Sequence, residues 1–408
     1  MGNGDARVGV IDGTSLSLDE ALARDLAALT RAGLRRSLTA GDSRRPGTVR
    51  LDRRELIDFS ANDYLGLAGD PRLAGAAAAA LADDALGGAA ARLISGNHVL
   101  HEALERDLAH FKRVDAALLF SSGYQANVGA IPALVGRRDA IYADALNHAS
   151  LIDACRLSHA QLRVVPHADV DAMGRLLAAD RGLFRRRLIV VDGVFSMDGD
   201  LAPLADLVEV ARAHDAWTYV DDAHGTGVLG DGGRGLAEHW AVEGSIDVVM
   251  GTLGKALGTV GAFVCGSRTL VDYLMNRART FIFTTASPPA LAAAAAEALR
   301  IVRQEPWRRA RLRANARRVR DGLRERGHAI AGPPDGHIVP VRVGESDTAV
   351  RVGAALRDRG FLVGAIRPPT VPLGASRLRI TLSAAHTASQ IDLLLTALAE
   401  TLPTPNGV

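Results

Sequence analysis

The stretch WTYVDDAHGTGVLG (217–230) decides the fold. A short β-type run breaks at once into two acids, a histidine and glycines, the pattern of a buried strand that ends where a polar loop begins. The same grammar recurs on both sides. AALLF (116–120) runs into SSGYQAN, AIYA (140–143) into DALNHAS, RLIVVD (187–192) into GVFSMDGD, and IDVVM (246–250) into GTLGK. LRVVP (162–166) and AFVC (262–265) are two further runs, and helical patterns separate most of them. Strands alternating with helices predict an α/β protein whose mostly parallel sheet is wrapped by helices. In such sheets ligands sit beyond the carboxyl ends of the strands, and five polar motifs are predicted to meet there.

Farther out, residues 15–37 read as a helix, followed by a polar stretch to about 50. ELIDFSANDYLGLAG (55–69) reads as a strand and turn, 72–86 as an Ala-rich helix, and VLHEALERDLAHF (99–111) as an amphipathic helix after a glycine-bearing loop. Two long helical patterns follow SPP (287–289), then strands near 338–343, 361–365 and 377–382. The expected division is a large domain over 51–290. A smaller α+β domain combines the 1–50 arm with 291–408.

Bulk properties narrow the function classes. The 408 residues are 48% hydrophobic with 42 glycines, as in a compact α/β enzyme. A formal charge of +2 leaves no overall nucleic-acid footprint. The basic segment 308–326 carries Leu312, Ala316, Val319 and Leu323 at helical spacing, so its arginines read as a solvated helix face. Cys155 and Cys265 have no disulfide or metal-ligand framework. His98 and His101, with His110, are expected to cap or line a helix, and no metal is expected. The N-terminus lacks an apolar signal core, and the apolar stretch near 289–302 is broken by Glu297, so a cytoplasmic protein free of the membrane is expected.

Among 48 basic residues only Lys112 and Lys255 are lysines. A chain that uses arginine nearly everywhere keeps lysine where arginine cannot serve. A buried lysine can lose its proton and form an imine, which an arginine cannot. Lys112, in HFKRVD, reads as a helix-end surface charge. Lys255, after IDVVM in a small-residue loop, is the candidate for imine chemistry. GTGVLG (225–230) matches a dinucleotide fingerprint, but no helix pattern follows it. GTLGK lacks the upstream glycine (Val249) and the Ser/Thr (Ala256) of a phosphate-binding P-loop.

A pyridoxal 5′-phosphate site needs an imine lysine, a carboxylate for the pyridine nitrogen, a flat partner for the ring, and donors for the phenolic oxygen and phosphate. Lys255, Asp221 and His148 supply the first three, and these three are the catalytic candidates. Ser196 and His224 serve the phenolic oxygen. The amides of Gly123 and Tyr124 at a helix start, with the Thr252 hydroxyl, serve the phosphate.

These residues lie in FSANDYLGL, RLISGNHVLHEALE, SSGYQAN, NHASLIDA, GVFSMDGDLAPL, VDDAHGTGVLG, GTLGKALG, FTTASPP and AIRPPTVPLGASRLRITLSAAH. From about residue 15 to the last helix the chain resembles the α-oxoamine synthases, pyridoxal-phosphate transferases of fold type I. The resemblance implies a homodimer with a shared active site, in which Thr284 or Thr285 comes from the second subunit to the phosphate. It also implies that Arg379, with Asn62, binds an amino-acid carboxylate, and that Arg35 and Thr370 lie along the acyl chain. The GTG and RPPTVP runs resemble the branch that serves biotin synthesis. The implied partners are L-alanine and a pimeloyl thioester, carried by coenzyme A or an acyl carrier protein, condensed with loss of CO2. A sibling using glycine, serine or another acyl group is the alternative, and a non-catalytic relative a distant one. Asp192, where relatives often have Glu, and alanines in GGAAARL (87–93) depart from the family pattern, and neither is expected to touch the cofactor set.

Overall fold

A computed structural model describes residues 16–83 and 86–403. Its strands are β1 (Gly41–Arg45), β2 (Thr48–Leu51), β3 (Arg54–Asp58), β4 (Ala116–Phe120), β5 (Ala140–Asp144), β6 (Gln161–Val165) and β7 (Arg187–Asp192). They continue as β8 (Trp217–Asp221), β9 (Val248–Thr252), β10 (Ala262–Gly266), β11 (Ile338–Gly344), β12 (Phe361–Leu362), β13 (Gly364–Ile366) and β14 (Ser376–Thr381).

Seven strands form the central sheet in the order β4-β10-β9-β8-β7-β5-β6. The five strands from β9 to β6 pair in parallel, while β10 runs antiparallel to both β4 and β9. Every residue of β4, β5, β9 and β10 is buried, because helices cover both faces and leave no reason for polar alternation. One face packs on Ala126, Ile131 and Leu151 from the helices Gly123–Leu134 and Ala149–Leu157. On the other, Tyr142, Ile189 and Val191 meet Leu177 and Leu207 from Val170–Ala179 and Leu204–Ala213. The carboxyl ends of β4, β5, β7, β8 and β9 therefore share one edge.

The chain ends build the rest. β11, β14 and β13 form a three-stranded antiparallel sheet, and β12 pairs in parallel with β3 in the sheet β1-β2-β3-β12. The expected strand at 361–365 is thus two short strands in different sheets, with the chain passing from one to the other at Val363. β1 and β2, an antiparallel pair, lie in the stretch to about 50 that the sequence marks only as polar. The expected helix over 15–37 spans Leu18–Arg31, capped by Ser17. Helix Trp307–Arg324 buries Leu312, Ala316, Val319 and Leu323. A single apolar cluster joins Leu104, Leu119 and Phe263 to Leu299, Leu312, Ile338 and Ile391, so the two expected domains share core.

Candidate active site

The five strand ends meet at a cavity of about 200 Å³. Gly123, Tyr124, His148, Ser196, Asp221, His224, Thr252 and Lys255 line it, all eight named from sequence, together with Ser150, Asp192, Ala223 and Met250. A larger cavity of about 630 Å³, lined by Arg92, Glu105 and Arg268 among others, shares none of these residues. Convergence of chemistry, not volume, marks the site.

Lys255 follows β9, and its Nζ lies 2.8 Å from His224 Nε2. Burial holds its pKa down to about 8, against the opposing charges of Asp221 and Asp192. Asp221 ends β8. Its carboxylate accepts from Asn127 Nδ2 at 2.8 Å and from the Ala223 amide at 3.0 Å. Asp192 ends β7 and is the register partner of Asp221. Burial raises both carboxyls, Asp192 well above its ordinary range, with the neighbouring Asp221 charge adding to the effect. Asp221 accepts from two donors, and Asp192 accepts from the His148 amide.

His148 caps the helix Ala149–Leu157. Its backbone N–H donates to Asp192 Oδ2 at 2.5 Å, and its Nδ1 lies 2.8 Å from Ser150 Oγ. Burial lowers its pKa, and more strongly that of His224, so both imidazoles are neutral at pH 7. Ser122 caps the helix that begins at Gly123, accepting from the Gln125 amide and leaving the first amides of the helix at the cavity. Thr252 Oγ1 donates to Gly261 O at 3.0 Å, so it offers its proton elsewhere only by turning from that carbonyl. Gly258, at φ +66°, closes the loop after Lys255. A Cβ there would lie 2.4 Å from Ala68 N.

Arg379, on β14, reaches across from the smaller sheet. Its Nε donates to Ser196 O at 2.5 Å, and Nη1 and Nη2 both lie 3.2 Å from Asn62 Oδ1. Arg35 and Thr370 are exposed and line no part of the cavity. Their segments are adjacent nonetheless, since Arg367 Nη1 donates to Gly33 O at 2.5 Å. Thr284 and Thr285 lie outside this subunit's cavity, and Thr285 bridges to Ala91.

Two sequence expectations are overturned: Asp192, expected apart from the cofactor residues, lines the cavity with them, and Lys112, expected as a surface charge, is enclosed. Lys112 is buried, and its Nζ donates to Asp222 Oδ2 (2.7 Å), Thr226 Oγ1 (2.7 Å) and Arg234 O (2.6 Å). Partners more than a hundred residues away gave no local signal. His98 and His101 form a capping box on Val99–Lys112, as expected. Sequence reading also passed over Asn127, Tyr64 and Ser150. Asn127 was visible inside the quoted SSGYQAN, four residues into the helix that opens on the cavity.

A family model described as "Aminotransferase class I and II" matches residues 54–398. The chain belongs to this family, in its α-oxoamine synthase branch. A family member from Alkalilimnicola ehrlichii (strain ATCC BAA-1101 / DSM 17681 / MLHE-1), an 8-amino-7-oxononanoate synthase, is 52% identical over 390 residues, covering 95% of this chain and 98% of that protein. A serine palmitoyltransferase from S. paucimobilis, solved with a bound PLP–myriocin aldimine, superposes with a TM-score of 0.89 at 31% identity. That match covers 95% of this chain and 98% of the other. An 8-amino-7-oxononanoate synthase from Francisella tularensis gives a TM-score of 0.73 at 29% identity, covering 85% and 97%. Both matched solved structures share this fold, which is that of type I pyridoxal-phosphate transferases.

Proposed function

We propose that this chain condenses L-alanine with a pimeloyl thioester, giving 8-amino-7-oxononanoate, CO2 and free thiol for biotin synthesis. The curated relatives of that name support the reaction, at about half identity over nearly the whole chain. The observation that carries it is Lys255, an amine whose proton affinity is lowered by desolvation and which lines one cavity with Asp221. The cofactor is pyridoxal 5′-phosphate, which supplies an electron sink for the pair left at the amino-acid Cα.

The residues fit that cofactor. Lys255 would carry its aldehyde carbon, and Asp221 would hold a proton on the pyridine nitrogen, its charge kept by Asn127 and the Ala223 amide. The Gly123 and Tyr124 amides and Thr252 would take the phosphate, with Thr284 or Thr285 of a second subunit. Ser196 and His224 would meet its phenolic oxygen, and His148 would cover its ring. Arg379 and Asn62 would take the amino-acid carboxylate, and Arg35 and Thr370 the acyl side. Lys255 Nζ, poised near neutrality, removes the Cα proton and later returns one. His148, neutral at pH 7, orients the thioester oxygen.

The unit is read as a homodimer. No helix among the described residues is long and apolar enough to cross a membrane. The reading is tested by supplying alanine, glycine or serine with pimeloyl and longer acyl thioesters and measuring CO2 and thiol release. Alanine with the pimeloyl thioester is expected to give the highest kcat/KM. A preference for serine or glycine, or for a long acyl chain, assigns the chain to a sibling reaction.

A further inference from the structure

A chain of hydrogen bonds, buried at its centre, connects Lys255 to Arg379 through three side chains. Lys255 Nζ lies 2.8 Å from His224 Nε2, His224 Nδ1 lies 2.5 Å from the Tyr64 hydroxyl, and that hydroxyl lies 3.1 Å from Asn62 Oδ1. Arg379 Nη1 and Nη2 complete it at 3.2 Å from the same Asn62 oxygen.

Donor and acceptor chemistry fixes the direction of every link. A guanidinium has donors only, so the Asn62 atom facing Arg379 is the carbonyl oxygen. Tyr64 therefore donates to that oxygen, since otherwise two acceptors would abut in a buried site. The phenol has one proton, so toward His224 it can only accept. His224 consequently carries its hydrogen on Nδ1. Being neutral, it turns a bare Nε2 to the cavity, where Lys255 Nζ donates to it. Tyr64 is wholly buried, its own pKa pushed up to about 12 by desolvation, so the phenol stays protonated throughout the working range.

We propose that Tyr64 is a positioning residue that holds His224 as a hydrogen-bond acceptor toward Lys255, and so sets the proton affinity of the lysine from two side chains away. The inference rests on Lys255 being the reactive amine. Without the Tyr64 oxygen, Nδ1–H has no acceptor, and the imidazole is free to carry its hydrogen on Nε2. Lys255 then faces a donor, which favours the free amine over the ammonium. Asn62 enters by the same logic. With its oxygen removed, the Tyr64 proton turns to Nδ1 and the imidazole polarity reverses, although Tyr64 is intact.

The test uses the full chain stripped of cofactor. Pyridoxal 5′-phosphate is added across a pH series, the imine is trapped with borohydride, and the rate of labelling at Lys255 is followed by peptide mapping. Tyr64→Phe keeps the ring, whose centroid is 4.3 Å from that of His337, and removes only the hydroxyl. The pH midpoint of labelling is expected to fall by about one unit in Tyr64→Phe, the size of one hydrogen bond to a charged group. Asn62→Ala is expected to lower it in the same way. Asn62→Asp keeps an acceptor for both Tyr64 and Arg379, and is expected to leave the midpoint at or above the wild-type value. A purely packing role for Tyr64 moves none of these midpoints. An unmoved midpoint in Tyr64→Phe, or a fall in Asn62→Asp, overturns this inference alone. Absence of labelling at Lys255 in the wild type overturns the functional reading with it.

Discussion

At the scale of single residues, Lys255 is defined by an imbalance of forces. Desolvation disfavours its ammonium, while Asp221 and Asp192 favour it, and desolvation wins. With a pKa of about 8, roughly a tenth of the lysine is free amine at pH 7, against well under a thousandth for an exposed lysine. Imine capture of pyridoxal phosphate is therefore expected to rise with pH up to about 8 and then level off, whereas an ordinary lysine would keep gaining toward 10.5. Lys255→Ala is expected to fold, since it removes a charge that desolvation disfavours, and to lose the imine absorbance. Its turnover is expected to fall by at least about 10⁴-fold, from loss of both nucleophile and proton carrier. Lys255→Arg is expected to be equally inactive, because a guanidinium stays charged and forms no imine. Wild-type turnover in either variant, measured as thiol release, would sink the assignment.

At the scale of elements, the inner strands of the central sheet were legible because burial on both faces forces continuous apolar runs, and five of the loops that follow strands carry the chemistry. β1 and β2 were not legible. GDSRR and TVRL pair as a largely exposed hairpin, and no apolar run announces them. Lys112 was misread for a related reason. It ends the helix Val99–Lys112 beside Arg113, which the sequence presents as a charged helix end, yet its partners come from the loop after β8. That loop is packed tightly around the pair. Gly235 sits at φ +107°, and a Cβ there would lie 1.7 Å from Asp222 Oδ2. All three ammonium protons are used, so the lysine ties the segment that includes His224 to the helix behind the sheet. Lys112→Met leaves Asp222 buried and unpaired and is expected to cost about 3–5 kcal/mol in urea denaturation. Adding Asp222→Asn to Lys112→Met is expected to recover part of that loss, because the uncompensated charge is then gone. A stability for Lys112→Met equal to wild type would mean that the pair is hydrated and carries no structural role.

At the scale of the whole molecule, eight of the residues named from sequence meet in one subunit, and Thr284 and Thr285 stand apart from them. The 283–285 segment is joined to 90–91 by the Thr285–Ala91 bridge and by the Ala286 amide donating to Ala90 O at 2.9 Å. Around that joint Ile94 and Phe283 are 81% and 70% exposed, an apolar surface of the kind subunits cover. A shared site has a consequence that a self-sufficient one lacks. Lys255→Ala removes the amine from its own subunit's site. If the site is shared as proposed, paired Thr284→Ala and Thr285→Ala changes are expected to weaken the phosphate site of the partner. Each homodimer is then defective at both sites. In a mixed dimer both lesions fall in one site and the other is intact. Unfolding and refolding the two variants together in equal amounts makes about half the dimers mixed, which restores about a quarter of the wild-type sites. The measurement is thiol release at limiting pyridoxal phosphate, with the separately refolded variants as controls. Activity no greater than the sum of the controls would mean that each subunit completes its own phosphate site, and that the two threonines serve the fold alone.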